Sequence, residues 1–79
     1  MRASELPINK VFYIHAILES SIQVQMLELG ILVGKQIKLQ HKAPFSGAMA
    51  YEIDQTRVCI RLQEAELIEV GEEENISIS

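Results

Sequence analysis

Lys10–Gly34 reads KVFYIHAILESSIQVQMLELGILVG, and this stretch decides the fold because it places a helix directly after the first strand. Lys10–Leu18 is rich in β-branched and aromatic residues, and Phe12, Ile14, Ala16 and Leu18 share one face at period two, which predicts a strand. Ser20 and Gln23 have the spacing of a capping box, in which each side chain satisfies the other residue's backbone N–H. Ile22, Met26 and Leu29 then recur at helical spacing. Gly30 stops the helix, since glycine enters the left-handed region without a Cβ penalty, and Ile31 follows where a Schellman closure wants an apolar residue packed back on Met26. Glu28 sits at the unfavourable end of the helix dipole. A basic partner, Arg57 or Arg61, would offset this, and simple solvation is the alternative.

Outward from this unit the chain alternates. Lys35–Ala43 predicts a second strand, with Ile37, Leu39 and His41 on one face and Lys38, Gln40 and Lys42 on the other, ended by Pro44. Met49, Tyr51 and Ile53 mark a third strand. After a short link at Gln55-Thr56, Val58 and Ile60 point inward in a fourth, with Arg57, Cys59 and Arg61 outward. Gln63–Glu66 predicts one helical turn and Leu67–Val70 a fifth strand with Ile68 and Val70 buried. The expected fold is mainly β: a small SH3-like five-stranded barrel with one α-helix between strands 1 and 2 and a short helical turn before the last strand. The OB-fold is the competing five-stranded barrel, but it usually carries its helix later.

Seventy-nine residues make one domain, 1–79, with a core over about residues 6–70 and an acidic tail at 71–79. The longest run without a charged residue, Ala43–Tyr51, is far short of the roughly 20 apolar residues of a membrane span. No apolar segment follows Arg2 as in a secretory signal, and the single Cys59 fits a reducing compartment, so a cytoplasmic location is expected. Residues 1–50 carry a balance of +2 and residues 51–79 one of −6, giving the net −4. Only Lys35, Lys38 and Lys42 approach a basic stripe, which disfavours nucleic acid. Glu72-Glu73-Glu74 reads as a solvated terminus or an acidic recognition tail.

Chemistry-bearing spacings are missing. His15, His41 and Cys59 stand at no metal-ligand spacing, and no nucleophile motif or phosphate loop is present. An enzyme is not expected, and no resident cofactor or metal site is; weak transition-metal binding through His15, His41 or Cys59 is the alternative. An interaction module remains. Leu27, Ile31, Leu32 and Val33 are more aliphatic surface than a helix end needs, so some should be exposed as a partner or self-association surface. The other reading is that the barrel uses all of them as a lid.

Three stretches also resemble a known family. Met26–Gly34 (MLELGILVG) resembles the L-x-[DE]-[LM]-G-[LIM]-x-x-G helix end of the ferrous iron transport protein A (FeoA) family. Ala43–Gly47 (APFSG) is similar to its A-P-[FL]-G connection, and Arg57–Arg61 with Glu64–Val70 to its R-x-x-[LI]-R…E-A-x-x-I-x-V closing hairpin. The chain departs from the pattern at Gln23, Val24 and Gln25, where the family often has basic residues, at Val33, often Pro, and at Gln55, often Gly, so another turn geometry is expected there. The resemblance implies an SH3-like barrel, a non-enzymatic role in bacterial ferrous iron uptake, and regulation of the membrane transporter FeoB by contact with its cytoplasmic GTP-binding domain or the adjacent membrane part. Met26, Leu29, Ile31 and Leu32, with Tyr51 or Arg57 at the rim, are the expected contact residues. Homo-oligomerisation is left open. A second implication is a metal-sensing or oligomerising module, since similar barrels are appended to metal-dependent repressors.

Overall fold

The period-two stretches form strands at Val11–Ile17 (β1), Gln36–Lys42 (β2), Ala48–Ile53 (β3), Thr56–Arg61 (β4) and Ile68–Gly71 (β5). A helix, Ser20–Glu28 (α1), lies between β1 and β2, and a single turn, Leu62–Ala65 (α2), between β4 and β5. The computed structural model describes residues 1–18, 20–42 and 47–73. The Ala43–Gly47 connection, apart from Gly47, and the tail beyond Glu73 fall outside these. The strands pair antiparallel in the order β4-β3-β2-β1-β5, so the fold is the expected mainly-β, SH3-like one. Phe12, Ile14, Ile37, Leu39, Met49, Tyr51, Ile53, Val58, Ile60, Ile68 and Val70 form the core, together with Met26 and Ile31 from the helix end.

Two β-bulges overturn two expected orientations. The β1–β5 register shifts between Ile14 and Ala16, so His15 is an extra residue and the alternation inverts beyond it. Ile17 therefore opposes Ile68 and packs on the core, while Leu18, expected inward, is exposed. The β2–β3 register shifts in the same way between Leu39 and His41, which turns His41 to solvent rather than onto the face of Ile37 and Leu39.

The β3–β4 hairpin closes through Asp54 and Gln55, both left-handed at φ 52° and 69°. This is the type I′ pattern, whose twist matches that of the flanking strands. Gln55 adopts the conformation that glycine would favour, so the expected change of geometry does not occur. The residue is held there at a cost of about 1 kcal/mol. Neighbouring contacts hold the turn: Asp54 N–H donates to the Gln36 carbonyl at 3.3 Å, and its carboxylate pairs with Lys35 Nζ at 3.0 Å.

The N-terminal segment belongs to the core, which begins upstream of Leu6 at the fully buried Ala3. Val70 N–H donates to the Met1 carbonyl at 2.7 Å and Arg2 bridges to Glu69, so Met1–Arg2 flanks β5. A 3-10 turn at Ala3–Glu5 then crosses the core, and Asn9 N–H reaches the Leu39 carbonyl of β2 at 2.8 Å. The fully buried Tyr51 fastens this segment from below: its hydroxyl donates to the Ala3 carbonyl at 2.7 Å, with Met49 Sδ 3.0 Å from the same oxygen. Its single proton goes to the stronger acceptor, the carbonyl.

Burial raises the Tyr51 pKa well above the ordinary 10.0. The folded state therefore holds this phenol neutral where the unfolded chain releases its proton, and the associated stability is complete below pH 10 and declines as pH rises above it. Tyr51→Phe should lower stability in urea at neutral pH by about 1–2 kcal/mol, because the Ala3 carbonyl loses its donor. It should also make the decline above pH 10 shallower than in the wild type.

Candidate partner-binding site at the helix C-terminus

The end of α1 is a complete Schellman closure. Gly30, at φ 84°, donates its N–H to the Leu27 carbonyl at 3.0 Å, and Ile31 donates to the Met26 carbonyl at 2.8 Å. The reversal buries Ile31 against the core beside Met26, both at 1% exposure or less. The same reversal turns the neighbours outward: Leu27 is 57% exposed, Leu29 48%, Leu32 36% and Val33 55%. The lid reading therefore fails for Leu27, Leu32 and Val33 and holds for Ile31, the fourth residue it covered, which is buried.

Part of the exposed aliphatic surface is concave. Ile17, Gln23, Leu27, Ile31, Leu32 and Val33 line an open groove of about 540 Å³. Gln23 crosses its wall and donates its amide to the Ile17 carbonyl at 3.0 Å. The expected capping box with Ser20 involves a side chain that lies outside the described residues. Gly34 N–H closes onto the Ile14 carbonyl at 2.8 Å, fixing the far end of the loop to β1.

Of the six expected contact residues, Leu29, Leu32 and Arg57 are exposed, and Met26, Ile31 and Tyr51 are buried. Met26 and Ile31 are structural because the closure points them inward; Tyr51 is the inward residue of β3 that holds Ala3. Neither Tyr51 nor Arg57 lines the groove. Sequence reading missed Ile17 and Gln23 as groove residues. Ile17 could not be found by period two, because the bulge at His15 reverses it. Glu28 has no ion pair with Arg57 or Arg61.

The ionic and metal-capable residues lie elsewhere. Lys35 pairs with Asp54, and Lys38 with Glu52 at 3.4 Å, so two of the three lysines of the basic stripe are locally neutralised. His15 lies over Gly71, close enough that a Cβ there would collide with the ring, and its Nε2 donates to the Glu73 carbonyl at 2.6 Å. His41 and Cys59 both stand across from Ala50, one on each side of β3, about 10 Å apart by strand spacing. Among the described residues no group of three His, Cys, Asp or Glu side chains is gathered for a metal ion, and no helix is long and apolar enough to cross a membrane.

The family model of the FeoA domain matches residues 1–72. This chain belongs to the FeoA family. It therefore carries an SH3-like domain associated with ferrous iron transport. No curated protein matches it. The solution structure of iron(II) transport protein A from Clostridium thermocellum is similar, with 25% identity, a TM-score of 0.85, and coverage of 90% of this chain and 44% of that one. The present chain thus spans under half of that relative's length. FeoA from Stenotrophomonas maltophilia, solved with zinc and described as a prokaryotic SH3 domain protein and candidate activating factor of ferrous iron transport, has 25% identity and a TM-score of 0.74, covering 89% of this chain and 88% of that one. A manganese-dependent transcriptional repressor superposes with a TM-score of 0.84 over 92% of this chain and 41% of its own; at 15% identity this reflects the shared fold.

The division between structural and exposed aliphatics is testable by denaturation. Ile31→Ala should cost about 2–5 kcal/mol, as for a buried aliphatic that leaves a cavity. Leu32→Ala should stay within about 1 kcal/mol. Equal losses at the two positions would contradict the division.

Proposed function

We propose that this protein is a non-catalytic, cytoplasmic accessory factor of ferrous iron uptake that binds FeoB through the aliphatic groove at the end of α1. The exposed cluster of Leu27, Leu29, Leu32 and Val33 carries this reading. These side chains are turned outward by the closure and keep 36–57% of their surface exposed, and burying the remainder against a partner removes apolar surface from water. Membership of a family associated with ferrous iron transport makes the transporter the partner of choice.

The mechanism is selection of a partner conformation. A factor that contacts one state of the transporter better than another shifts their populations by its differential affinity, and no group on this chain has to react. The reading requires no metal bound to this chain: His15 is engaged with Glu73, and His41 and Cys59 stand apart. Leu29 and Leu32 remain contact residues in this proposal, joined by Leu27 and Val33.

Leu32→Glu places a charge in the groove without disturbing Met26 or Ile31. It should weaken binding to the cytoplasmic domain of the cognate FeoB by at least about tenfold in a calorimetric titration, as expected for a charge forced into an apolar contact. Unchanged affinity in the folded variant would remove this surface from the proposal.

A further inference from the structure

The two edges of the sheet are treated differently. The edge beside β5 is flanked by Met1–Arg2, through the Val70 to Met1 hydrogen bond and the Arg2–Glu69 bridge. The β4 edge has no strand beyond it among the described residues. In the tight β3–β4 hairpin, Ile53 and Thr56 close the turn, so the hydrogen-bonded pairs are Ile53–Thr56, Tyr51–Val58 and Met49–Ile60. Arg57, Cys59 and Arg61 are the alternate residues, and their backbone groups point away from β3. The Arg61 N–H is taken by Glu64 Oε1 at 3.2 Å, which among the described residues leaves Arg57 and Cys59 to present free edge donors and acceptors.

The side chains of these three residues are exposed. Glu52, directly across from Arg57, gives its Oε1 to Lys38 Nζ at 3.4 Å and to Gln40 Nε2 at 3.3 Å. Arg61 stands across from Ala48. Among the described residues neither arginine has an ion pair, in a chain of net charge −4. A second copy adding antiparallel about Cys59 would set Arg57 against Arg61 at both ends, a like-charge pairing that opposes self-association. The same pattern admits an extended segment with carboxylates opposite both arginines and a small residue opposite Cys59.

We propose that the β4 edge is a docking site for an extended acidic peptide segment of a partner protein, added as a sixth strand through the free backbone groups of Arg57 and Cys59 and fixed by the Arg57 and Arg61 side chains. Main-chain bonds supply the attachment, and the two charges set register and choice of partner. This site is independent of the groove on α1.

The test uses the isotope-labelled full chain and a capped heptapeptide probe, Thr-Glu-Thr-Ala-Thr-Glu-Thr, with Lys in place of Glu as control. The acidic peptide should shift the amides of residues 57–61 and slow hydrogen exchange at Arg57 and Cys59 about tenfold near saturation, leaving Val58 and Ile60 little changed. The Lys peptide should do neither. Arg57→Glu combined with Arg61→Glu, both exposed positions, should weaken the acidic peptide at least about tenfold. Absence of shifts at 57–61, shifts without protection of Arg57 and Cys59, or equal effects of the Lys peptide would each overturn the proposal. So would the same protection produced by vesicles containing phosphatidylserine, which offer anionic headgroups but no strand.

Discussion

The reversal of the chain at Gly30–Ile31 is the constraint on which the functional surface depends. Two backbone hydrogen bonds end α1, and because they fix the direction of the chain they also sort the aliphatic run around them. Met26 and Ile31 enter the core; Leu27, Leu29, Leu32 and Val33 do not. A glycine at position 30 makes this possible, since the φ of 84° there is costly for any residue with a Cβ. The exposed cluster is thus a consequence of how the helix stops.

A second fastening works across the barrel. The N-terminal segment has little hydrophobic patterning, yet it flanks β5, crosses the core and reaches β2. Tyr51 joins it to the centre of the sheet, where a polar group is tolerable because its proton has a carbonyl acceptor. The family match beginning at residue 1 agrees with an N-terminal segment that is part of the domain.

Much of this architecture was legible because it follows from local rules. Val58 and Ile60 alternate with charged or polar residues, so β4 could be oriented from its sequence; Gly30 and Ile31 announced the closure. The bulges were not legible. Neither His15 nor Gln40 differs from an ordinary strand residue, yet each reverses the alternation beyond it and so moved Ile17 inward and Leu18 and His41 outward. Ala3 was hidden because a small residue in a non-periodic segment carries no pattern. In the candidate site, the aliphatic excess of residues 27–33 was visible, but dividing it into buried and exposed members required the direction of the reversal. Tyr51 showed the same limit: an aromatic with a polar tip suits an interface or a core, and the neighbouring carbonyl decides.

The central claim is that the surface exposed by this reversal is where the transporter is met. The most direct measurement is amide chemical-shift mapping of the labelled chain on titration with the soluble GTP-binding domain of its cognate FeoB, with and without nucleotide. The account predicts shifts concentrated at Leu27–Val33 and at Ile17 and Gln23, with the β4 edge unaffected by this contact. Shifts confined to other faces would contradict it.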